Sequence, residues 1–400
     1  MKRKFIILLF VLLIFTGCSQ IRQKVKEGME TASERKEYFN AIQKGELDTV
    51  KRMVDLNPDL METATIWKDY PLHLAAKHGH PRVAEFLIEQ GHPLETGDGH
   101  GRKPLHRAVE ENHPEVVNVL IDSGAQIDSL DEKQRTPLHY ACRNDNIELA
   151  GLLIEKNADI NIRSDENNTP LHLAAGNNNP GLVQMLVDAK ANVNLKTNHD
   201  WTALHFAAKN NQVEVAKILL ENHANINIQD SMGNTPLNRG VQEKNHEVSQ
   251  LLIENKADLN IMNNENQTPL HKAVLNNDDS MVLLLLSNRA ATNLKNSDGK
   301  TPLHLGIDQE NENNIRALIM NGAEVDQPDD EGNSPLHLAI DRKNLEIVKI
   351  LLENNTDVNI LNSDGKTPLD LAFTKGKSVN TIIEYLKSKG GKTTSTPSRQ

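Results

Sequence analysis

One frame repeats through this 400-residue chain at a fixed step of 33 residues, and no other feature narrows the fold as far. Thr-Pro-Leu-His begins at Thr136, and the frame returns at Thr169, Thr202, Thr235, Thr268, Thr301, Ser334 and Thr367 without an insertion. Read backwards it reaches Lys103 and Tyr70, which makes ten registered copies. An eleventh, partial copy over residues 41–54 matches Ala75 onward at an offset of 34. A period of this length marks a repeat architecture: one unit cannot bury its apolar face alone, and stacking the units builds the core.

Each unit has the same local chemistry. Thr caps a helix, and Pro takes the first helical position, where the missing N–H costs nothing. Leu171-His172-Leu173-Ala174-Ala175 then starts a short helix whose small residues let a neighbouring helix approach. A polar turn such as Asn177-Asn178-Asn179 leads to a more apolar second helix, as in Val215-Ala216-Lys217-Ile218-Leu219-Leu220. Gly91, Gly124 and Gly322, or Asn157 and Asn355, suit the left-handed helix C-cap. An extended piece such as residues 158–162 runs to a polar tip, where Gly101, Gly233, Gly299, Gly332 and Gly365 precede the next cap by two residues. Asn167 and Asn266 stand in for Gly there, as the residues that best tolerate a positive φ.

This pattern resembles the ankyrin repeat over residues 37–389. The resemblance implies an all-α repeat solenoid: helix–turn–helix units joined by β-hairpin loops, about ten full repeats plus a capping half-repeat. Glu37, Gln43, Lys44 and Lys51 read as a polar N-cap, and Ile382 to Lys387 as a C-cap helix. The departures are Tyr70 and Lys103 for Thr, Ala203 for Pro, and Asn238 and Asp370 for His. Asp370 falls in the last unit, where a solvent-facing cap is expected, whereas Asn238 is internal and predicts a weaker junction. The composition agrees. Seven Phe, two Trp and four Tyr are too few to fill the core, so Leu, Ile, Val and Ala must.

The first residues read as an address. Lys2-Arg3-Lys4 precedes an apolar run from Phe5 to Phe15. As a helix this run spans about 16 Å, short of the roughly 30 Å hydrocarbon core, so it reads as a signal peptide. Phe15-Thr16-Gly17-Cys18 resembles a bacterial lipobox, although Leu is usual where Phe15 stands. The resemblance implies cleavage before Cys18 and lipidation of its thiol, and several acyl chains on one cysteine anchor stably. Ser19 after the cysteine points to outer-membrane sorting, by likeness to diderm lipoproteins. The expected layout is a signal peptide over 1–17, a lipidated Cys18 with a tether over 18–36, the repeats over 37–389, and a disordered tail over 390–400.

Charge and chemistry exclude several classes. The formal net charge of −11, with no basic block, disfavours nucleic acid. Cys142 is the only cysteine besides Cys18, and its apolar helical setting makes it a core residue. His73, His106, His139, His172, His205, His271, His304 and His337 recur one per unit. A ladder at helix-layer spacing cannot converge on one ion, so they read as structural and no metal is expected. Gly-Lys-Thr occurs at Gly299 and Gly365, but the glycine a phosphate loop needs five residues earlier is Leu294 or Ile360. No catalytic motif is present, so no enzyme activity, cofactor or small-molecule substrate is expected.

What remains is surface. The ankyrin resemblance implies binding through the hairpin tips and the exposed face of each first helix. Trp67 and Trp201 fall on tips, and Ile66, Met232 and Leu275 are apolar at contact positions. Trp is the residue most enriched at binding hot spots. These five residues are the expected partner contacts. The acidic run Asp298, Asp308, Glu310, Asp329, Asp330 and Glu331 would steer a basic partner or simply keep the chain soluble. The expectation is a monomeric, lipid-anchored, non-catalytic scaffold in the bacterial envelope that binds a protein. The alternative is an immunity-type or inhibitory protein that neutralises a toxin or envelope enzyme.

Overall fold

The computed structural model describes residues 31–394. The signal segment and Cys18 therefore lie outside the described residues. The described chain forms two compact units, which meet in sequence at Pro170 and Leu171. Both are built from helix pairs, and no strand occurs among the described residues.

The first unit opens with a helix over residues 31–44 and the helix Leu47–Leu56, with Gly45 at φ 71° between them. The partial copy is thus a complete helix pair. The pairs Pro71–Lys77 with Pro81–Glu89, Pro104–Glu110 with Pro114–Asp122, and Pro137–Arg143 with Ile147–Glu155 follow. The second unit continues the same alternation from Pro170–Gly176 and Pro180–Asp188 to Pro368–Thr374 and Asn380–Ser388. In the last pair Ile382, Ile383 and Leu386 are buried, so the expected C-cap helix is present.

The core repeats with the sequence. In the first unit Leu72, Leu105 and Leu138 of the first helices, and Leu87, Leu120 and Leu153 of the second helices, are essentially inaccessible. In the second unit Leu204, Leu237, Leu270, Leu303 and Leu336 answer Leu186, Leu219, Leu252, Leu285, Leu318 and Leu351 in the same way. Each buried Leu contributes about 1.5–3 kcal/mol, and each lies between the partner helix of its own repeat and the helices of the adjacent repeats. The small residue five positions after the cap permits the close helix approach. A Cβ on Gly240 would lie 2.7 Å from Ser249 Oγ.

The caps form as the frame requires. Thr136 Oγ1 accepts from His139 N at 3.4 Å, and Thr136 N donates to His139 Nδ1 at 3.1 Å. Where Tyr70 and Lys103 replace Thr, the histidine alone closes the cap, accepting from Tyr70 N at 3.3 Å and Lys103 N at 3.1 Å. Ala203 begins its helix without the proline. Positive φ occurs at every expected Gly and at Asn157, Asn167, Asn266 and Asn355. Lys190, His223, Lys256 and Arg289 also adopt it, at helix ends where the sequence offers no Gly or Asn.

The segment expected to be a tail begins in an ordered position. Thr367 Oγ1 donates to Lys392 O at 2.7 Å, Lys392 N donates to Asn359 Oδ1 at 2.7 Å, and Thr394 N donates to Asp370 Oδ2 at 3.1 Å. Asp370, standing where other repeats carry His, thus receives a short strap instead of a further repeat.

Candidate interaction surface

The tips are rigid because one side chain in each consumes the backbone donors of the turn. Asp98 Oδ1 accepts from His100 N at 2.8 Å and Arg102 N at 3.1 Å. Asp131, Asp230, Asn263, Asn296, Asp329 and Asn362 make the same two bonds, five residues before each cap. The limbs close through single bonds such as Asp98 N to Arg102 O at 2.9 Å and Asp230 N to Asn234 O at 3.0 Å. Successive tips are also joined. Glu132 N donates to His100 O at 3.1 Å in the first unit, and Asn264 N donates to Met232 O at 3.0 Å in the second.

The frame histidines are spent on the stack. In seven of the eight, Nε2 faces a carbonyl 29 residues ahead, at 2.8–3.3 Å. Because Nδ1 accepts at the cap, Nε2 must carry the proton and donate to the next repeat. At His304 the contact to the Asn333 carbonyl is weaker, outside good hydrogen-bond geometry, and the cap bonds to Thr301 remain. Burial pushes His73, His106, His205, His271 and His304 down to about 4. Asn238 cannot span the gap as His does: its Nδ2 reaches Ile261 O at only 3.4 Å, and its buried Oδ1 has no partner. Among the described residues, no group of three or more His, Cys, Asp or Glu could hold a metal ion. Cys142 is fully buried, and burial pushes its thiol up.

Of the five expected contact residues, Trp201 and Met232 come together. Arg239 lies between them, 4.9 Å from the Trp201 ring centroid and 3.5 Å from Met232 Sδ. Trp201 is half-buried, packed edge-on to Phe206 at 5.0 Å and covered by Lys209 at 5.5 Å. Met232 is 56% exposed. Arg239 Nε donates to Asp230 Oδ2 at 2.8 Å, so a buried ion pair fixes the guanidinium. Met232, Arg239, Gln242, Glu265 and Lys272 line a cleft of about 390 Å³. Burial, then the Arg239 charge, lowers the Lys272 ammonium, whose Nζ donates to Gln242 Oε1 at 3.0 Å. Leu275, half-buried at the end of its helix, does not line this cleft. Ile66 and Trp67 share one tip of the first unit, both exposed.

The sequence reading missed Arg239 and Lys272. Their signal is the fourth position after the cap, which holds Arg107, Tyr140, Phe206, Arg239 and Lys272, whereas five other repeats carry Leu there, at Leu74, Leu173, Leu305, Leu338 and Leu371. That side chain meets the residue just before the preceding cap: Arg107 Nη2 donates to Asp69 Oδ1 at 3.2 Å, as Arg239 covers Trp201. Asp131 shows the electrostatic consequence. Burial alone would raise its carboxyl, but bonds from Arg135 and Tyr140 hold it below the usual range.

Stacked helix pairs with capped first helices and braced tips define a helical-repeat protein. The model for ankyrin repeats in three copies matches residues 39–131, 124–197, 171–263 and 240–329, and that for ankyrin repeats in many copies matches 318–372. The chain belongs to the ankyrin repeat family. No match was found among curated proteins. Family membership suggests a protein–protein interaction scaffold, a generally non-catalytic role.

Proposed function

We propose that this protein is a lipid-anchored, non-catalytic scaffold of the bacterial envelope that binds a protein partner through its hairpin tips and first-helix faces. One observation carries the binding face. The repeated polar groups are consumed within the stack, whereas Met232, Arg239, Gln242 and Lys272 open on a cleft held by rigid backbone. A surface already ordered before binding loses little conformational entropy on association. Trp201 serves there as a packed platform under Arg239, and Met232 as the exposed apolar anchor.

Anchoring rests on Lys2-Arg3-Lys4, the Phe5 to Phe15 run and Cys18. Among the described residues no helix is long and apolar enough to cross a membrane. The test uses the full chain expressed in bacterial cells. Metabolic labelling with an alkyne fatty acid should tag the parent and leave Cys18→Ser unlabelled in the soluble fraction. Crosslinked capture from the envelope should yield one protein that Met232→Glu loses. An unlabelled, soluble parent refutes anchoring, and equal capture by Met232→Glu refutes this face.

A further inference from the structure

The first repeat carries an apolar edge that the stack leaves open. Three of the four most exposed large hydrophobic side chains among the described residues fall in one stretch of it: Ile66 at 91%, Leu56 at 78% and Trp67 at 71%. The fourth, Met320, belongs to the other unit.

Ile66 and Trp67 stand on fixed backbone. Thr65 N donates to Asp69 O at 3.0 Å, and Lys68 N donates to Thr65 O at 2.9 Å. Thr65 Oγ1 accepts from Trp67 N at 3.3 Å and Asp69 N at 3.1 Å. Gly99 N holds Trp67 O at 3.0 Å. Lys68, at φ 59°, stands beside the two apolar residues. The neighbouring carboxylate does not oppose it from the surface, because Asp69 is buried and bonded to Arg107 at 3.2 Å.

The start of the described chain lies against the segment that joins Leu56 to this tip. Asn57, directly after Leu56, donates from Nδ2 to Glu34 Oε2 at 3.2 Å, and Tyr38 Oη donates to Met61 Sδ at 3.8 Å. Cys18 precedes Thr31 by thirteen residues. Even fully extended, that length reaches only about 45 Å. An acylated Cys18 would therefore keep the start of the first unit within that distance of a membrane.

We propose that this edge is a lipid-contact site, in which Ile66 and Trp67 enter the membrane interface and Lys68 meets headgroup phosphates. The proposal rests on the anchoring reading above. Tryptophan favours the membrane–water interface, where its ring is apolar and its N–H stays wet. A cation beside the ring adds attraction to anionic headgroups. The tips with Asp298, with Asp330 and Glu331, and with Asp364 are acidic, and anionic headgroups repel them. At the Ile66–Trp67 tip a cation and two exposed apolar side chains coincide.

The test reconstitutes the acylated full chain on vesicles of phosphatidylethanolamine and phosphatidylglycerol, with brominated acyl chains as the quencher. The expected result is quenching of tryptophan emission in the parent that is lost in Trp67→Phe and strongly reduced in Ile66→Asp. Both positions are exposed, so far-UV circular dichroism of the variants should match the parent. Equal quenching in Trp67→Phe assigns it to Trp201 and overturns the proposal. A parent that stays on the vesicles unquenched overturns lipid contact while leaving the anchor intact. A parent that leaves the vesicles removes the anchoring reading and this proposal with it. An unquenched Trp67 that crosslinks to an envelope protein assigns the edge to a protein occupant and overturns the lipid reading.

Discussion

Mild acid should destabilise this protein through its histidine ladder before its carboxylates titrate. His73, His106, His205, His271 and His304 are buried and neutral, with values lowered to about 4. Their unfolded value is about 6.5. A group lowered in the folded state takes up its proton only on unfolding. The penalty is therefore absent above pH 6.5, grows as pH falls, and is complete below about 4. At pH 5 an unfolded histidine is almost fully protonated, whereas a folded one is roughly one-tenth protonated. Relative to pH 7 that costs the folded state about 2 kcal/mol per residue. His73 and His106 together cost the first unit about 4 kcal/mol, and the other three cost the second about 6 kcal/mol, against a typical domain stability of about 5–15 kcal/mol. Burial also lowers His139 and His337, which act in the same direction. Asp98, Asp131 and Asp308 are held low by their partners, so their contribution is lost only below the ordinary carboxylate value, outside this window. Asp128 and Asp326 are raised, first by burial, and oppose the trend weakly. The assay is urea unfolding followed by far-UV circular dichroism at pH 7, 6 and 5. The midpoint should fall by about 1 M or more by pH 5, given a slope near 1–3 kcal/mol per M. A midpoint that holds to pH 5 and drops only below 4 would refute the neutral, donating ladder.

Asn238→His should raise stability by about 1 kcal/mol, because His can donate across to the next repeat, whereas Asn leaves a buried oxygen without a partner; thermal unfolding of the pair measures it. Gly299→Ala should cost about 2 kcal/mol or more, since φ is 68° and a Cβ would lie 2.5 Å from Asp330 N; the readout is the urea midpoint. Lys190→Gly should stabilise by up to about 1 kcal/mol, because Lys190 sits at φ 73° and glycine adopts that region without steric cost; the same unfolding assay tests it.

The frame made the helix pairs, caps and Leu core legible because each rests on a fixed residue type at a fixed spacing. The tip brace was not legible. Asp98, Ser164, Thr197 and Asn263 share one position but differ in type, since any short oxygen-bearing side chain can accept there. Positive φ at Lys190 and Arg289 leaves no mark either, because packing of the helix end overrides local preference. Trp201 read as a tip residue, and it is one. Its burial under Arg239, however, depends on a side chain 38 residues away. The strap at Lys392 and Thr394 follows a Gly-Gly pair that reads as flexible, and only the acceptors Asn359 and Asp370 hold it.

The central claim is that the tip and first-helix face binds a protein. A photocrosslinking residue placed at position 232 of the full chain, with a second placed at Lys217 on the exposed side of the helix Val213–Glu221, tests it most directly. Illumination of intact cells should give a discrete protein adduct from position 232 and none from position 217. No adduct at 232, or the same adduct from both positions, would contradict the account.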